Sequence, residues 1–393
     1  MVERELYMEK IRSLMDKDII KVITGIRRCG KSYFLNQIVE EIKKTGVLEE
    51  NIILINLESG KYNFIQSREE LDDIIYNKVK NLQGKVYLLF DEIQNVPDWQ
   101  ISINSYRVDY NCDIYLTGSN SKLLSGELAT YIAGRYIEIK MYPFSFKESL
   151  LLNSDLTFEE YLLYGGMPFI QNLEAADKLN YLELLYDSIL IKDIVYRHNI
   201  KNIDLLKRIL NYLVDNIGRE FSVQNTFNVL KSEKRTVTKD LIYNYLNYLQ
   251  EAMLIYKVSR EDLKGKKLLK FNEKFYFSDW GFNEAIFRNN KLYIAQILEN
   301  IVFVEFLRRG YKVTVGKLRG SEIDFVCRKN NNCVYVQLSY LLASDETLER
   351  EFKPLLAIRD NYEKIVISMD KIDMSRDGIK HLNIEEFLLS EDY

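Results

Sequence analysis

One eight-residue stretch near the start of the chain has the residue types and spacing of a phosphate-binding loop. Residues 25–32, Gly-Ile-Arg-Arg-Cys-Gly-Lys-Ser, match G-x-x-x-x-G-K-[ST] at every fixed position. Glycines let the backbone N–H groups converge on phosphate oxygens, Lys31 supplies a positive charge, and the Ser32 hydroxyl is a ligand for Mg²⁺. The residues that we expect to line this nucleotide site are Gly25, Ile26, Arg27, Arg28, Cys29, Gly30, Lys31, Ser32 and Tyr33.

The sequence on both sides of the loop supports this interpretation. Residues 19–23 are mostly apolar and predict a strand that leads into the loop, and residues 32–42 predict the helix that leaves it. The N-terminus of that helix adds a favourable dipole for an anion. A Gly-Lys turn without a ligand is the alternative, and the complete motif between a strand and a helix argues against it.

Two carboxylates follow a later apolar run. Residues 86–90 predict a buried strand that ends at Asp91 and Glu92. After a phosphate-binding loop, this pattern predicts that Asp91 holds Mg²⁺ through its water shell and that Glu92 polarises an attacking water.

The next predicted strand, residues 114–116, runs into Thr117, Gly118 and Ser119. A polar side chain there would contact the γ-phosphate or its water, and the sequence favours Thr117 or Ser119 without distinguishing them. The alternative is that Ser119 or Asn120 only caps the following helix.

Alternating strands and helices predict an α/β fold, in which a P-loop NTPase domain with a parallel sheet spans residues 1–150. We expect a helical lid at 151–200, a winged-helix-like domain at 201–285, and a small α/β domain resembling restriction endonucleases at 286–393.

Composition narrows the class of protein. The chain has 393 residues, of which 47% are hydrophobic and 28% charged, and its net charge of −4 does not indicate a nucleic-acid binder by itself. No apolar run reaches the length of a membrane span, and the charged N-terminus is not typical of a signal peptide. The four cysteines form no metal-binding spacing, so we expect a cytoplasmic protein in a reducing compartment.

Four blocks in order, GIRRCGKS, LLFDEIQ, LTGSNSKLLSGELATYIAGRYIEI and YPFSFKE, carry a family resemblance. Together they resemble the AAA-type ATPases of bacteria and archaea that carry a C-terminal domain of unknown function, a group related to the archaeal ATPase and STAND-like lineages. The resemblance covers nearly the whole chain and implies ATP, rather than GTP, as the nucleotide. It also implies that Arg135 is a nucleotide-site arginine, in cis or across a subunit boundary in an oligomer. A surface salt bridge is the alternative for Arg135.

The predicted winged helix has a local positive charge. Residues 257–274 contain seven basic and three acidic side chains, a net charge of +4. Such a basic wing could contact the phosphates of DNA, and the alternatives are a solvated hairpin or a protein-docking module.

The C-terminal part matches the positions of the PD-(D/E)xK nuclease fold but not its chemistry. Glu299, Asp324, Gln337 and Ser339 occupy those positions, with Gln337 in place of an acid and Ser339 in place of the lysine. An amide is a poorer Mg²⁺ ligand than a carboxylate, so we expect a degenerate domain that binds a partner. Glu322 could compensate as a ligand, which keeps a metal-dependent nuclease as the alternative.

The sequence therefore predicts a protein that hydrolyses ATP with Mg²⁺ and couples the resulting conformational change to C-terminal modules that bind DNA or a protein. The alternatives are an ATP-gated nuclease and a slow nucleotide switch with little ATPase activity.

Overall fold

The computed structural model divides into two compact units, Met1–Tyr142 and Pro143–Tyr393. The residues that the structure describes are 2–124, 134–265, 267–318 and 320–392. Part of the third sequence block that carries the family resemblance, residues 125–133, therefore lies outside the described residues.

The first unit contains a five-stranded sheet in the order β2-β3-β4-β1-β5, and every neighbouring pair of strands is parallel. This arrangement confirms the predicted α/β class with a parallel sheet. Its strands are β1 (Ile20–Thr24), β2 (Ile52–Asn56), β3 (Val86–Asp91), β4 (Cys112–Gly118) and β5 (Tyr136–Lys140). Its described helices are α1 (Glu5–Leu14), α2 (Lys31–Lys44), α3 (Arg68–Val79) and α4 (Trp99–Asp109).

Strands β1 and β3 of this sheet are buried along their whole length. All residues of β1 and β3 are buried, as expected for parallel strands that are covered on both faces. The register places Asn56 opposite Asp91 and Thr24 opposite Gly118. The carboxyl ends of these strands therefore meet at one edge of the sheet, which is where ligands bind in open α/β folds.

The second unit contains a mixed seven-stranded sheet in the order β12-β11-β10-β9-β8-β6-β7. Its strands are β6 (Ile255–Asp262), β7 (Lys267–Phe277), β8 (Lys312–Leu318), β9 (Ser321–Lys329), β10 (Asn332–Leu338), β11 (Glu363–Ser368) and β12 (Lys380–Asn383). Its described helices are α5 (Phe146–Leu152), α6 (Phe158–Tyr164), α7 (Ala175–Ser188) with a π-helical continuation (Ile189–Tyr196), α8 (Ile203–Val214), α9 (Val223–Ser232), α10 (Lys239–Glu251), α11 (Gly281–Phe287), α12 (Ile294–Arg308), α13 (Asp345–Leu356) and α14 (Ile384–Leu389).

Three helices, α8 to α10, precede the β6–β7 hairpin in the order expected for a winged helix. The hairpin also belongs to the same sheet as β8 to β12, because β6 pairs with β8. The division of this unit at residues 200 and 285 stays a prediction. In the described ranges, none of the helices has the length and apolar character needed to cross a membrane.

A buried aspartate ties two glycine turns together inside the second unit. Asp279 accepts hydrogen bonds from the N–H groups of Gly166 at 2.8 Å and Gly281 at 2.9 Å. A Cβ at Gly165, where φ is +79°, would lie 1.9 Å from Asp279 Oδ1, so only glycine fits there. Burial raises the pKa of Asp279 to about 7, although these N–H groups favour the ionised form.

This raised pKa predicts a pH-dependent loss of stability. An unfolded aspartate has a pKa of about 3.9, so between about pH 4 and pH 7 the folded state binds the extra proton and its stability falls as pH rises. The loss is at most about 1.4 kcal/mol per pH unit. We expect Asp279→Asn to flatten the dependence of unfolding free energy on pH in this window, and the exposed control Asp155→Asn to follow the wild type. Parallel curves for wild type and Asp279→Asn, measured by denaturant titration, would contradict this assignment.

Candidate active site

The phosphate-binding loop lies between β1 and α2, as the motif predicts. Gly30 has a φ of +104° and is followed directly by the first residue of α2, so the N–H groups of the first turn border the loop. A Cβ at Gly25 would lie 2.6 Å from the carbonyl oxygen of Met141 and 2.7 Å from Cys29 Sγ. Only glycine therefore fits at position 25.

Lys31 is buried in this loop and points towards the end of β3. Its Nζ donates to the carbonyl oxygens of Gly25 at 3.1 Å and Ile26 at 3.3 Å, and lies 3.3 Å from Glu92 Oε1. Burial alone would lower the pKa of Lys31, but the charges of Glu92 and Asp91, the hydrogen bond to Glu92 and the nearby Cys29 together outweigh burial and raise the pKa. The ammonium group therefore keeps its charge at neutral pH.

Asp91 ends β3 and is held by three polar side chains. Its Oδ1 accepts from Thr117 Oγ1 at 2.5 Å, its Oδ2 accepts from Asn56 Nδ2 at 2.9 Å, and it also shares a hydrogen bond with Ser32. Burial raises the pKa of Asp91, and the hydrogen bonds from Ser32 and Thr117 oppose that rise. A hydroxyl beside a carboxylate is a hard-oxygen donor set that fits Mg²⁺.

Glu92 follows Asp91 in a left-handed backbone conformation with a φ of +55°. Its Oε2 accepts from Gln94 Nε2 at 2.5 Å and from the Ser119 N–H at 3.2 Å, while its own N–H donates to Thr117 Oγ1 at 2.9 Å. Burial would raise the pKa of Glu92, but the charge of Lys31 and the hydrogen bonds lower it. Glu92 is therefore ionised and able to accept a proton from water.

Three other residues expected at the nucleotide site differ in how far their side chains are exposed. Tyr33 is 67% exposed on the first turn of α2, and Arg28 is exposed with a φ of +67°. Arg27 is partly buried and pairs with Glu58 at 3.2 Å.

Arg135 does not join the site of its own chain. It directly precedes β5, whose first residue pairs with Ile20, so Arg135 lies at the amino end of the strands, opposite the loop. Its NH1 donates to Asn104 Oδ1 on α4 at 2.8 Å. The role of Arg135 at a nucleotide site, in cis or across a subunit boundary, stays a prediction.

Sequence reasoning missed three residues at this site. Asn56 holds Asp91, Gln94 holds Glu92, and the Arg4 guanidinium donates to the carbonyl oxygen of Cys29 at 3.2 Å. The position of Asn56 at the end of β2 could have indicated its contact with Asp91, because neighbouring parallel strands end at the same edge. No local pattern indicates that Arg4 reaches the loop.

The nuclease-like positions come together only in part. Asp324 on β9 accepts from the Leu338 N–H at 2.8 Å, and its own N–H donates to Gln337 Oε1 at 3.3 Å. Glu299 on α12 lies close enough to add to the effect of burial, which raises the pKa of Asp324 well above its usual value. Ser339 instead donates to the carbonyl oxygen of Leu341 at 3.1 Å, so its hydroxyl faces its own loop.

A lysine that sequence reasoning missed lies among these carboxylates. Lys274 on β7 is buried, and its Nζ lies 3.0 Å from Glu299 Oε1 and 2.7 Å from Glu322 Oε1. The Tyr276 hydroxyl also donates to Glu299. Lys274 therefore adds a positive charge to this cluster, although Ser339 occupies the lysine position of the nuclease pattern, and the nuclease-like character of the cluster stays a prediction. Across the described residues, no three or more His, Cys, Asp or Glu side chains are placed to hold a metal ion.

The basic wing has fewer side chains available to contact phosphates than its composition suggests. Arg260 is buried and pairs with Glu220 and Glu322, and Lys257 pairs with Glu273 at 3.0 Å. Lys274 is also buried and paired, so three of the seven basic side chains form ion pairs with carboxylates. Lys264 is exposed, and Lys266 lies outside the described residues.

Comparisons with known proteins agree with this architecture. A family profile described as "AAA domain" matches residues 17–150, and one described as "Domain of unknown function (DUF8612)" matches residues 155–292. An uncharacterized protein of Haemophilus influenzae is 39% identical over 99% of this chain and 99% of its own length. The uncharacterized protein MJ1544 of Methanocaldococcus jannaschii is 32% identical over 90% of this chain and 81% of its own length.

Solved structures resemble the chain more distantly. The Aeropyrum pernix ORC1 protein in complex with DNA is 12% identical, covering 76% of this chain and 94% of its own, with a TM-score of 0.32. A DNA polymerase III gamma subunit-related protein of Thermotoga maritima is 14% identical, covering 62% of this chain and 83% of its own, with a TM-score of 0.33. The two relatives and the matching domain lead to one conclusion: the chain belongs to one family with these uncharacterized proteins and carries an AAA domain of the P-loop type.

Proposed function

We propose that this protein binds ATP with Mg²⁺ at residues 25–32 and hydrolyses it to ADP and phosphate. The observation that carries the proposal is the convergence of Lys31, Asp91 and Glu92 at one edge of the sheet, joined directly or through Thr117. In this reaction a water oxygen attacks the γ-phosphorus and the bond to the bridging β–γ oxygen breaks. Glu92 takes the proton of the water, and the bridging oxygen leaves with ADP.

The other residues of the site have binding roles in this proposal. The N–H groups of the loop and the Lys31 ammonium hold the β- and γ-phosphates. Ser32 and Asp91 are the residues that would hold Mg²⁺, which neutralises phosphate charge when bound. Thr117 positions Asp91 and the backbone of Glu92, and the Ser119 N–H fixes the Glu92 carboxylate.

We further propose that hydrolysis drives a conformational change that the second unit conveys to a macromolecular partner. The relative of Haemophilus influenzae aligns with both units over nearly its whole length, which supports their working as one protein. The ion pairs of Arg260, Lys274 and Lys257 remove charge that DNA phosphates would need. This favours a protein partner over DNA for the wing.

Nucleotide binding should depend on Lys31. Replacing Lys31 by Ala removes the charge that faces the phosphates, and the loss of one charge-assisted contact weakens binding by about 10- to 100-fold. Equilibrium titration with a fluorescent ATP analogue and Mg²⁺ measures this directly. Lys44→Ala is the matched control, because Lys44 is 66% exposed near the other end of the same helix. Equal affinity of Lys31→Ala and Lys44→Ala would refute the proposed site.

A further inference from the structure

Gln94 lies in the short 3₁₀ turn Ile93–Asn95 that follows the carboxylate pair of β3. Its amide Nε2 donates to Glu92 Oε2 at 2.5 Å. The Lys31 ammonium lies 3.3 Å from the other oxygen, Oε1. Gln94 and Lys31 thus hold the two oxygens of the Glu92 carboxylate separately, which fixes the rotation of the group as well as its position.

The space that the Gln94 amide occupies is available because residue 118 is glycine. A Cβ at Gly118 would lie 2.6 Å from Gln94 Oε1 and 2.9 Å from a methyl carbon of Leu123. Any larger residue at this end of β4 would push the amide away from its place beside Glu92. Gly118 therefore keeps open the position from which Gln94 reaches the carboxylate.

The Gln94 amide is bound at one end only. Its Oε1 is buried and has no hydrogen-bond donor in the part of the chain that the structure describes. An unpaired buried acceptor is destabilising, so the amide gains no hydrogen bond from this orientation of its oxygen. The orientation of the amide is therefore set by the carboxylate of Glu92 and not by the hydrogen-bonding needs of Gln94.

We propose that Gln94 is a positioning residue for ATP hydrolysis, which holds the Glu92 carboxylate in the orientation that polarises the attacking water. This inference rests on the proposed function. Gln94 acts on the chemical step and not on nucleotide affinity, because its amide is bonded to Glu92 and not to the phosphate-binding loop. The two parts of Glu92 are thus held separately, since Thr117 Oγ1 accepts from its backbone N–H and Gln94 donates to its carboxylate.

Gln94→Met tests the inference, because methionine fills a similar space without the amide. We expect kcat to fall by about 10-fold or more, the effect of losing one hydrogen bond to a charged group, while KM for ATP changes by less than about twofold. Gln100→Met is the matched control. Gln100 is buried in α4 and also carries a buried, unpartnered Oε1, but it is not bonded to Glu92. Gln94→Ala provides a second variant, and thermal unfolding shows whether each variant folds.

A double-mutant cycle separates positioning from general structural support. In single-turnover hydrolysis, Gln94→Met should cause no further loss in a Glu92→Gln background, because Gln94 acts through the carboxylate. An equal loss in both backgrounds, or unchanged kcat in folded Gln94→Met and Gln94→Ala, would overturn the inference. If Glu92→Gln itself turns over like the wild type, the proposed function fails, and the two failures are thereby distinguishable.

Discussion

Glu92→Gln should retain nucleotide binding and lose turnover by about 10²- to 10⁴-fold, the usual contribution of a positioned general base. The amide keeps the size of the side chain but cannot take a proton from water. Glu92 is the residue on which the contacts converge, since Lys31, Gln94 and the Ser119 N–H all reach its carboxylate. We expect the variant to bind ATP about as tightly as the wild type and to release phosphate far more slowly.

The matched control is Glu40→Gln, which changes an exposed carboxylate on α2 that forms an ion pair with Lys43. Its turnover should equal that of the wild type. Loss of nucleotide binding in Glu92→Gln would assign Glu92 a binding role instead. Comparable turnover in both variants would show that another group takes the proton.

Lys274→Met should cost about 3–5 kcal/mol of unfolding free energy, the usual cost of removing one partner from a buried ion pair. The change leaves the carboxylates of Glu299 and Glu322 without the ammonium group that bridges them. Burial alone would lower the pKa of Lys274, but the charges of Glu299, Asp324 and Glu322 outweigh burial and raise it. The lysine therefore stays charged and holds α12, β7 and β9 together at this point.

Lys257→Met is the matched control, because it makes the same chemical change at a lysine whose side chain is 41% exposed in its ion pair with Glu273. An exposed pair contributes at most about 1 kcal/mol, so this variant should be nearly as stable as the wild type. Adding Glu299→Gln to Lys274→Met should recover part of the loss by removing one unpaired charge. Denaturant titration measures all three, and equal stability of the two lysine variants would contradict the buried bridge.

The candidate nucleotide site could be predicted from sequence because its parts are local. The loop lies within eight consecutive residues between a strand and a helix, and the two carboxylates directly end an apolar run. Parallel strands then bring these segments to one edge without any further information. The choice between Thr117 and Ser119 was open because both follow the same strand. The structure gives both a contact with Glu92, Thr117 through its hydroxyl and Ser119 through its N–H.

The contacts that sequence did not predict connect distant segments. Lys274 and Glu299 are brought together by the packing of β7 and α12, and no periodic pattern relates them. Composition shows the net positive charge of the wing. It cannot show that Arg260 points into the protein towards Glu220 and Glu322. The edge of the sheet on which Arg135 lies could not be predicted either, because the family motif gives its position in the chain and not its position in the sheet.

The central claim, that ATP is hydrolysed at this edge of the sheet, is tested most directly by phosphate release under single-turnover conditions. Wild type and Glu92→Gln are each mixed with Mg²⁺-ATP, with the protein in excess over the nucleotide. The cleaved γ-phosphate is then measured over time. The account predicts hydrolysis by the wild type that is lost in Glu92→Gln. No hydrolysis by a wild type that binds ATP, or the same rate in both proteins, would contradict it.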